Sequence, residues 1–226
     1  MKRAITTLFL LMSLDGKIST GATDDLDVDK DFPAILGVKE GLHQYYEIER
    51  TTDLWSLNSG RVMAKVGVND MPLPKKRDVS FVVVDNSHLT SHGVAYFSKL
   101  AKDFVLVTSN RAHPAFSIEE ENTSIIFQEV FDPAEMLTRL YNEHGCDRIT
   151  IQTGGTLNEV FLRAKLIDRV DIVVAPVLVG GKDTATLVDG HSLLSRNELD
   201  KLGVLKLEAC IALEDSYVRL QYKVVA

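Results

Sequence analysis

The sequence predicts a three-layer α/β fold built on a mixed, mostly parallel sheet. Apolar and β-branched runs typical of buried strands recur along the chain, at residues 4–14, 79–85, 104–108 and 170–179. Stretches with a helical spacing of apolar residues separate them, and strands that alternate with helices favour parallel pairing through right-handed crossovers. Residues 205–213 and 217–225 instead alternate between apolar and polar types around Asp215-Ser216, which predicts a C-terminal antiparallel hairpin.

The first half of the chain supplies the strand 4–14, a helix over residues 39–50 and a second strand over residues 52–57. Residues 19–32 are polar and rich in aspartate, but they lack the alternating ligands and the distal glutamate of a calcium loop. We therefore expect a solvated loop there and no metal site. A short helix over residues 94–101 then connects two buried strands.

The second half adds a short strand over residues 124–127 and a helix over residues 132–144. Asp132 suits the N-cap of this helix and Pro133 its first position. Gly145 is the residue type that commonly ends a helix. The two caps therefore predict both ends of this helix.

The stretch from Arg148 to Leu166 combines a strand, a diglycine turn and a helix. Gly154 and Gly155 follow a β-branched run, and Thr156 has the Thr-x-x-Glu spacing of a capping box, which places the helix start at Thr156. The first helical N–H groups lack partners and glycines allow close approach, so the turn suits a phosphate or pyrophosphate. The alternative is a tight turn without a ligand, because the pattern is not the dinucleotide fingerprint G-x-G-x-x-G.

Length and composition bound the class of protein. The chain has 226 residues without a recognisable linker, which predicts one domain over residues 1–226. Its 25 basic and 32 acidic residues give a net charge of -7, which argues against a general nucleic-acid binder. Cys146 and Cys210 are far apart and have no histidine cluster beside them, so a disulfide framework or zinc site is not expected. Without a secretion signal or a membrane-length apolar run, the sequence predicts a soluble cytoplasmic protein.

A second polar motif, Ser13-Leu14-Asp15-Gly16-Lys17-Ile18, follows the first strand. The dipeptide Asp-Gly is typical of turns, so a turn explains part of the motif. Open α/β sheets also bind ligands at the carboxyl ends of their strands. Asp15 and Lys17 are therefore candidates for a functional site as well as for a turn.

These motifs resemble the reductase domain of riboflavin biosynthesis, which belongs to the dihydrofolate-reductase-like superfamily. The resemblance lies in Ser-Leu-Asp-Gly-Lys-Ile, in Thr153-Gly154-Gly155-Thr156-Leu157 and in the later Pro176 and Gly180-Gly181. It extends, with gaps, over nearly the whole chain. It implies a dihydrofolate-reductase-like version of the predicted fold, with an NADPH cofactor and a small-molecule substrate.

The resemblance also implies cofactor-binding residues. In these families the diglycine turn binds the NADPH pyrophosphate, commonly with a cis peptide between the glycines. The residues implied for this chain are Gly154, Gly155, Thr156 and Leu157 at that turn, Gly60 and Arg61 at a phosphate, and Thr108, Ser109 and Arg111 near the 2′-phosphate. A surface position for Arg61 is the alternative. The aspartate-rich loop corresponds to the loop that covers the nicotinamide, and His113 is interpreted as a loop residue.

On the substrate side, the resemblance implies Asp15 as the catalytic carboxylate and Ser13, Lys17, Asp70 and Thr153 as substrate-binding residues. Asp70 lies in a partial match to the family's Asp-Pro-x-Leu segment near the ribose phosphate. Thr153 stands where the family usually has glutamate, and this departure bears on the substrate more than on the cofactor.

The function implied is the NADPH-dependent reduction of 5-amino-6-(5-phosphoribosylamino)uracil or a similar compound of riboflavin biosynthesis. Asp15 would orient the substrate or donate a proton. Another reductase of the same fold, acting on a pterin, a folate or another small carbonyl or imine compound, is the first alternative. A non-enzymatic NADPH-binding protein is the second. A homodimer is expected because the family is usually dimeric, with the edge of the terminal hairpin as a place for subunits to meet; neither nucleic acid nor a membrane is expected as a partner.

Overall fold

The computed structural model describes residues 2–225 and consists of two compact units. One unit contains residues 2–5 and 53–153, and the other contains residues 6–52 and 154–225. The strands of the described chain are β1 (Ile5–Ser13), β2 (Trp55–Ser59), β3 (Ser80–Val84), β4 (Phe104–Thr108), β5 (Thr123–Phe127), β6 (Arg148–Ile151), β7 (Arg169–Ala175), β8 (Leu205–Ala212) and β9 (Val218–Val224). The α-helices are α1 (Val28–Asp31), α2 (His43–Glu49), α3 (Gly60–Val66), α4 (Ser91–Leu100), α5 (Pro133–His144) and α6 (Gly155–Arg163).

The unit that contains residues 53–153 is built on parallel strands in the order β5-β4-β3-β2-β6. All five residues of β4 are buried, so both faces of the strand are covered. On one face, Phe104 and Leu106 belong to a cluster with Val94 and Phe97 of α4. Because both faces of β4 are covered, its sequence is a continuous apolar run. This agrees with the layered α/β fold predicted from the sequence.

The unit that contains residues 154–225 has strands in the order β1-β7-β9-β8. β1 and β7 are parallel, whereas β7, β9 and β8 are antiparallel neighbours. Its core includes Phe9 stacked on Tyr45, with ring centroids 5.2 Å apart, together with Val173 and Tyr217. The predicted mixed sheet and C-terminal hairpin are confirmed.

Several elements differ from their predicted bounds: β2 covers Trp55–Ser59 rather than 52–57, β7 covers Arg169–Ala175 rather than 170–179, and α4 covers Ser91–Leu100 rather than 94–101. α2 covers only His43–Glu49 of the predicted 39–50. The aspartate-rich segment, predicted as a loop, contains the short helix α1, because the Asp27 side chain accepts a hydrogen bond from the Asp29 N–H at 2.9 Å and caps it. Among residues 2–225, no helix is long and apolar enough to cross a membrane.

The start of α6 corrects the predicted capping box. The helix begins at Gly155, and Gly154 in an extended conformation is its N-cap, so Thr156 is already the second helical residue. Glu159 does not reach back to a cap but pairs with Arg163 at 3.0 Å, one turn further on. A side-chain partner four residues ahead therefore satisfies the glutamate that the sequence pattern assigned to the cap.

Candidate active site

The turn after β1 ties the strand to the loop after β7. The Asp15 carboxylate accepts hydrogen bonds from Ser13 Oγ at 2.5 Å, from the Val179 N–H at 3.1 Å and from the Gly180 N–H at 2.6 Å. Ser13 Oγ in turn accepts from the Lys17 N–H at 2.9 Å. Both Asp15 and Ser13, predicted to face the substrate, therefore also hold two loops in position.

These hydrogen bonds change the acidity of Asp15. The bond from Ser13 is the largest cause, and with the bonds from Val179 and Gly180 it lowers the pKa of Asp15 to about 2, against a smaller opposing effect of burial. The carboxyl group is therefore ionised throughout the neutral range. A carboxylate in this state can orient groups but has no proton to donate.

Lys17 is buried, and its ammonium group donates to the carbonyl oxygens of Gly181 at 2.7 Å and Thr184 at 3.0 Å. The loop that it contacts turns through Gly180 and Gly181, whose φ angles are 71° and 83°. At such angles a side chain is strained, so these glycines are explained by backbone geometry. Lys17 thus secures the Gly180-Gly181 motif that the sequence singled out.

The diglycine turn is packed on one side by the segment 186–189. A Cβ atom built on Gly155 would lie 2.3 Å from the Thr186 carbonyl oxygen and 2.4 Å from Asp189 Oδ2. The Asp189 N–H also donates to the Gly155 carbonyl oxygen at 3.0 Å. Asn158, fully buried on α6, donates to the Leu187 carbonyl oxygen at 2.7 Å. Packing within this unit therefore already requires glycine at position 155.

The first turn of α6 remains suited to an anion. The N-cap residue Gly154 has no side chain to cap this helix, and its carbonyl oxygen accepts the first intrahelical hydrogen bonds, from the N–H groups of Leu157 and Asn158. Thr156 is exposed and Leu157 is partly exposed. Uncapped N–H groups and the positive end of the helix dipole favour a bound phosphate. The Gly154–Gly155 peptide bond is trans, as are all others between described residues, in contrast to the cis peptide implied by the resemblance.

In the other unit, a buried carboxylate that sequence reasoning missed organises the carboxyl ends of the strands. Asp85, directly after β3, accepts hydrogen bonds from His113 Nε2 at 3.0 Å, from His88 Nδ1 at 2.9 Å and from the Leu89 N–H at 2.8 Å. Its side chain has no exposed surface. A Cβ on Gly60, the first residue of α3, would lie 2.2 Å from the Asp85 carboxyl carbon. Gly60, predicted to approach a phosphate, is thus also required by Asp85.

The Asp85 carboxylate is stabilised in its ionised form. Burial alone would raise its pKa, but the hydrogen bonds from His113, Leu89 and His88 outweigh burial and hold the pKa well below its usual range. His113 lies in a loop, as predicted, but it is buried rather than solvated. Its Nδ1 accepts from the Ala115 N–H at 3.1 Å, which leaves Nε2 as the donor to Asp85. The available signal was Asp85-Asn86-Ser87, an aspartate-initiated turn directly after a strand.

The predicted 2′-phosphate residues lie at the end of β4 and are held by Asn86. Asn86 Oδ1 accepts from Thr108 Oγ1 at 3.0 Å and from the Ser109 N–H at 2.7 Å. Arg111 is exposed, with its guanidinium 4.1 Å from the centre of the Phe127 ring and 3.3 Å from Glu129. Thr108 is therefore chiefly structural, whereas Ser109 and Arg111 lie where solvent reaches them.

The remaining predicted residues are placed as follows. Arg61 is exposed on α3, and Asp70 is exposed next to Asn69. Asn69 anchors that segment by accepting from the Thr90 N–H at 2.9 Å. Thr153 is 1% exposed, directly before the diglycine turn. Within the described residues there is no cluster of potential metal ligands.

One buried polar chain crosses β2 and β6 near their carboxyl ends. Asn58 Nδ2 donates to Ser56 Oγ at 2.9 Å, and Ser56 Oγ donates to Gln152 Oε1 at 2.8 Å. Asn58 is 5% exposed and Ser56 is 7% exposed. Gln152 immediately precedes Thr153 and the diglycine turn, so these amides lie at the strand ends where α/β sheets bind ligands.

The layered α/β fold, with polar residues at the carboxyl ends of its strands, is that of a ligand-binding α/β protein. A family model described as the RibD C-terminal domain matches residues 4–212, so the chain belongs to the RibD C-terminal domain family. This membership confirms the sequence-based prediction of a riboflavin-pathway reductase.

Among curated proteins, the chain is similar to the 2,5-diamino-6-ribosylamino-4(3H)-pyrimidinone 5′-phosphate reductase of Methanothermobacter thermautotrophicus. The two are 26% identical over 84% of this chain and 86% of the relative. Among solved structures, Acinetobacter baumannii RibD matches with a TM-score of 0.69 and 16% identity over 99% of this chain. This chain spans only 59% of that protein.

A further structural match is the diaminohydroxyphosphoribosylaminopyrimidine deaminase/5-amino-6-(5-phosphoribosylamino)uracil reductase of Thermotoga maritima. It has a TM-score of 0.66 and 16% identity, and this chain covers 57% of it. At this identity the two solved structures confirm the fold.

Proposed function

We propose that this chain uses NADPH to reduce the ribosylamino group of a phosphorylated aminopyrimidine to the open-chain ribitylamino group. The reductases named above, which act on compounds of this kind, support the substrate class. The observation that carries the cofactor is the start of α6, where the N-cap residue is Gly154 and contributes no side-chain cap. A pyrophosphate matches the backbone N–H groups of a helix start in charge and hydrogen bonding.

The chain offers residue types suited to the phosphate groups of NADPH. Gly154, Gly155, Thr156 and Leu157 would hold the pyrophosphate, and Ser109, Arg111 and Arg61 would meet the 2′-phosphate. Guanidinium groups are suited to phosphate because their charge is permanent and their donors are paired. When bound, NADPH supplies the hydride that reduces the substrate carbon.

The chain itself contributes position and charge. The Asp15 carboxylate, with its pKa lowered by Ser13 and the loop N–H groups to about 2, stays ionised and fixes residues 179–180 beside the β1 turn. We therefore assign Asp15 to positioning rather than to proton donation. Lys17, Ser13, Asp70 and Thr153 remain the proposed substrate-binding residues.

Calorimetry of cofactor binding tests the first part of this proposal. We expect NADPH to bind about tenfold or more tightly than NADH, because a charge-assisted hydrogen bond contributes roughly 1.5–3 kcal/mol. Arg111→Gln should weaken NADPH and leave NADH unchanged. Arg77→Gln, which removes another exposed arginine, is the matched control. Equal affinity for the two cofactors in the unmodified protein would contradict the 2′-phosphate assignment.

NADPH oxidation tests the second part. Turnover with a phosphoribosylamino-pyrimidine supports the proposal. Turnover only with a pterin, folate or other small carbonyl compound indicates a different reductase, and tight NADPH binding without any turnover indicates a binding protein.

We also propose a homodimer that meets along β8, acting as a single domain in the cytoplasm. β8 pairs with β9 alone among the described strands, and Leu205, Leu207 and Ile211 on it are 43%, 52% and 40% exposed. An apolar edge strand of this kind is a surface at which subunits associate.

A further inference from the structure

We propose that residues 191–202 form a latched loop, which opens from the end of α6 as one body and closes on it again. The latched loop lies between Gly190 and Gly203, within the unit that contains residues 154–225. It contains none of the residues assigned to NADPH or to the substrate. Its opening is therefore a conformational change that the fold provides whichever ligand the chain binds.

The two ends of the latched loop meet the same turn of α6. A Cβ atom built on Gly190 would lie 2.6 Å from Glu159 Cγ, and one built on Gly203 would lie 2.7 Å from Leu162 Cδ1. Residues three positions apart on a helix are neighbours on its surface, so the chain leaves α6 and returns to it within one turn. Surface segments with such close ends are Ω-loops. The glycines at both ends are suited to act as hinges.

The latched loop holds its own shape. Glu198 accepts hydrogen bonds from the Leu194 N–H at 2.8 Å and from Lys201 Nζ at 2.7 Å, and a capping box at Ser195 begins the short 3-10 turn. None of residues 191–202 is buried. Within residues 2–225, their side chains form hydrogen bonds and ion pairs only inside the loop. The loop can therefore move without losing a side-chain bond of its own.

Two cations at the end of α6 hold the latched loop in place. Arg163 Nη1 donates to the Lys201 carbonyl oxygen at 3.1 Å, and Lys165 Nζ donates to the Leu202 carbonyl oxygen at 2.6 Å. Arg163 is oriented by its ion pair with Glu159, at 3.0 Å. Among residues 2–225 these two bonds are the only hydrogen bonds between the loop and the rest of the chain. Breaking them releases the loop between its hinges.

The backbone of Lys165 agrees with a latch. Its φ angle of 56° lies in the left-handed region, where the chain leaves the helix and where glycine is the usual residue. A side chain at this angle is strained. The bond from Lys165 Nζ to Leu202 opposes that strain, and it is a contact that glycine cannot make. Lys165→Gly therefore relieves the backbone and removes the latch in one change.

Limited proteolysis with trypsin tests the latch, because trypsin cleaves after Arg196 and Lys201 in proportion to the population of the open loop. Mass spectrometry gives the rate at each bond. We expect Lys165→Gly and Arg163→Gln each to raise both rates by about fivefold, the effect of one lost hydrogen bond. Because one body opens, the factor should be the same at the two bonds. The melting temperature of Lys165→Gly should not fall, since strain is removed.

Cleavage after Lys182, whose side chain is 91% exposed outside the loop, is the internal reference and should keep its rate in every variant. Arg169→Gln, which loses an ion pair with Glu208 at 3.0 Å in the same unit, is the matched control and should leave the loop rates unchanged. Unchanged rates in both latch variants overturn the proposal. So does a rise confined to the bond after Lys201, which indicates fraying at one end, or an equal rise after Lys182, which indicates general loosening.

Discussion

At the scale of one residue, the lowered pKa of Asp15 makes the stability of the fold depend on pH. In the folded protein the hydrogen bonds from Ser13, Val179 and Gly180 lower its pKa from 3.8 to about 2. A group whose pKa is lower in the folded state stabilises the fold above its unfolded pKa, and that stabilisation is lost as the pH falls through the folded value. The contribution of Asp15 is therefore complete above pH 4 and disappears towards pH 2.

We expect Asp15→Asn to lower the melting temperature at pH 7, because an amide offers one acceptor oxygen where the carboxylate offers two. The difference from the unmodified protein should shrink between pH 4 and pH 2. Thermal unfolding followed by circular dichroism at several pH values measures it. A difference that is constant over this range contradicts the role described for the carboxylate.

The same variant separates positioning from proton donation in catalysis. Loss of a general acid reduces turnover by about 10²–10⁴-fold. Since Asp15 is ionised at neutral pH, we expect a smaller loss, with NADPH affinity nearly unchanged. Single-turnover hydride transfer is the measurement, and a loss in the range of a general acid restores the catalytic role that the resemblance implies.

The two glycines of the diglycine turn differ in how strictly the fold requires glycine. Gly155→Ala places a Cβ 2.3 Å from the Thr186 carbonyl oxygen, so we expect a loss of about 1–3 kcal/mol in the free energy of unfolding. Gly154 has φ -75° and ψ 160°, a conformation open to any residue, so Gly154→Ala is the matched control and should unfold like the unmodified protein. Urea denaturation compares them. Equal stability of both variants would mean that the segment 186–189 moves aside.

At the scale of an element, α5 is a helix whose two ends are predicted by local sequence signals. Asp132 accepts from the N–H groups of Ala134 at 2.8 Å and Glu135 at 3.1 Å, and Gly145 ends the helix in the left-handed region with φ 66°. Both caps were predicted. They are local interactions, in which a side chain satisfies backbone groups two or three residues away, so they need no tertiary structure.

Asp132→Ala should therefore destabilise the protein by about 1 kcal/mol, the usual cost of losing an N-cap. Glu119→Ala, which changes an exposed acidic residue of the same unit outside the helices, is the control and should stay within about 0.5 kcal/mol. Guanidinium unfolding measures both. If the two variants were equally stable, the cap would contribute nothing to α5.

At the scale of the whole molecule, the edge strand β8 bears on the proposed dimer. If subunits meet there, Leu207→Glu, which charges a residue that is 52% exposed, should convert a dimer to a monomer at micromolar concentration. Leu73→Glu changes a residue of similar exposure, 53%, in the other unit and should leave the dimer intact. Sedimentation velocity measures the mass. A monomeric unmodified protein would refute the dimer.

The sequence by itself determined the layered α/β fold, the order of most of its strands and helices, and the family. These features depend on local signals: β4 was predicted at the bounds it has, since its five residues are all apolar or β-branched and buried on both faces. It also determined which short motifs are candidates for a functional site, including the turn at Asp15 and the diglycine at Gly154-Gly155.

Tertiary structure alone decided what those motifs do. The Asp15 carboxylate bonds residues more than 160 positions away, Gly155 packs against Thr186, and Asp85 joins His88 to His113. The orientation of the Asn58 amide likewise depends on Gln152, on another strand. Hydrogen-bond direction, burial and the pKa shifts that follow are properties of contacts between distant segments, so a pattern of neighbouring residues does not contain them.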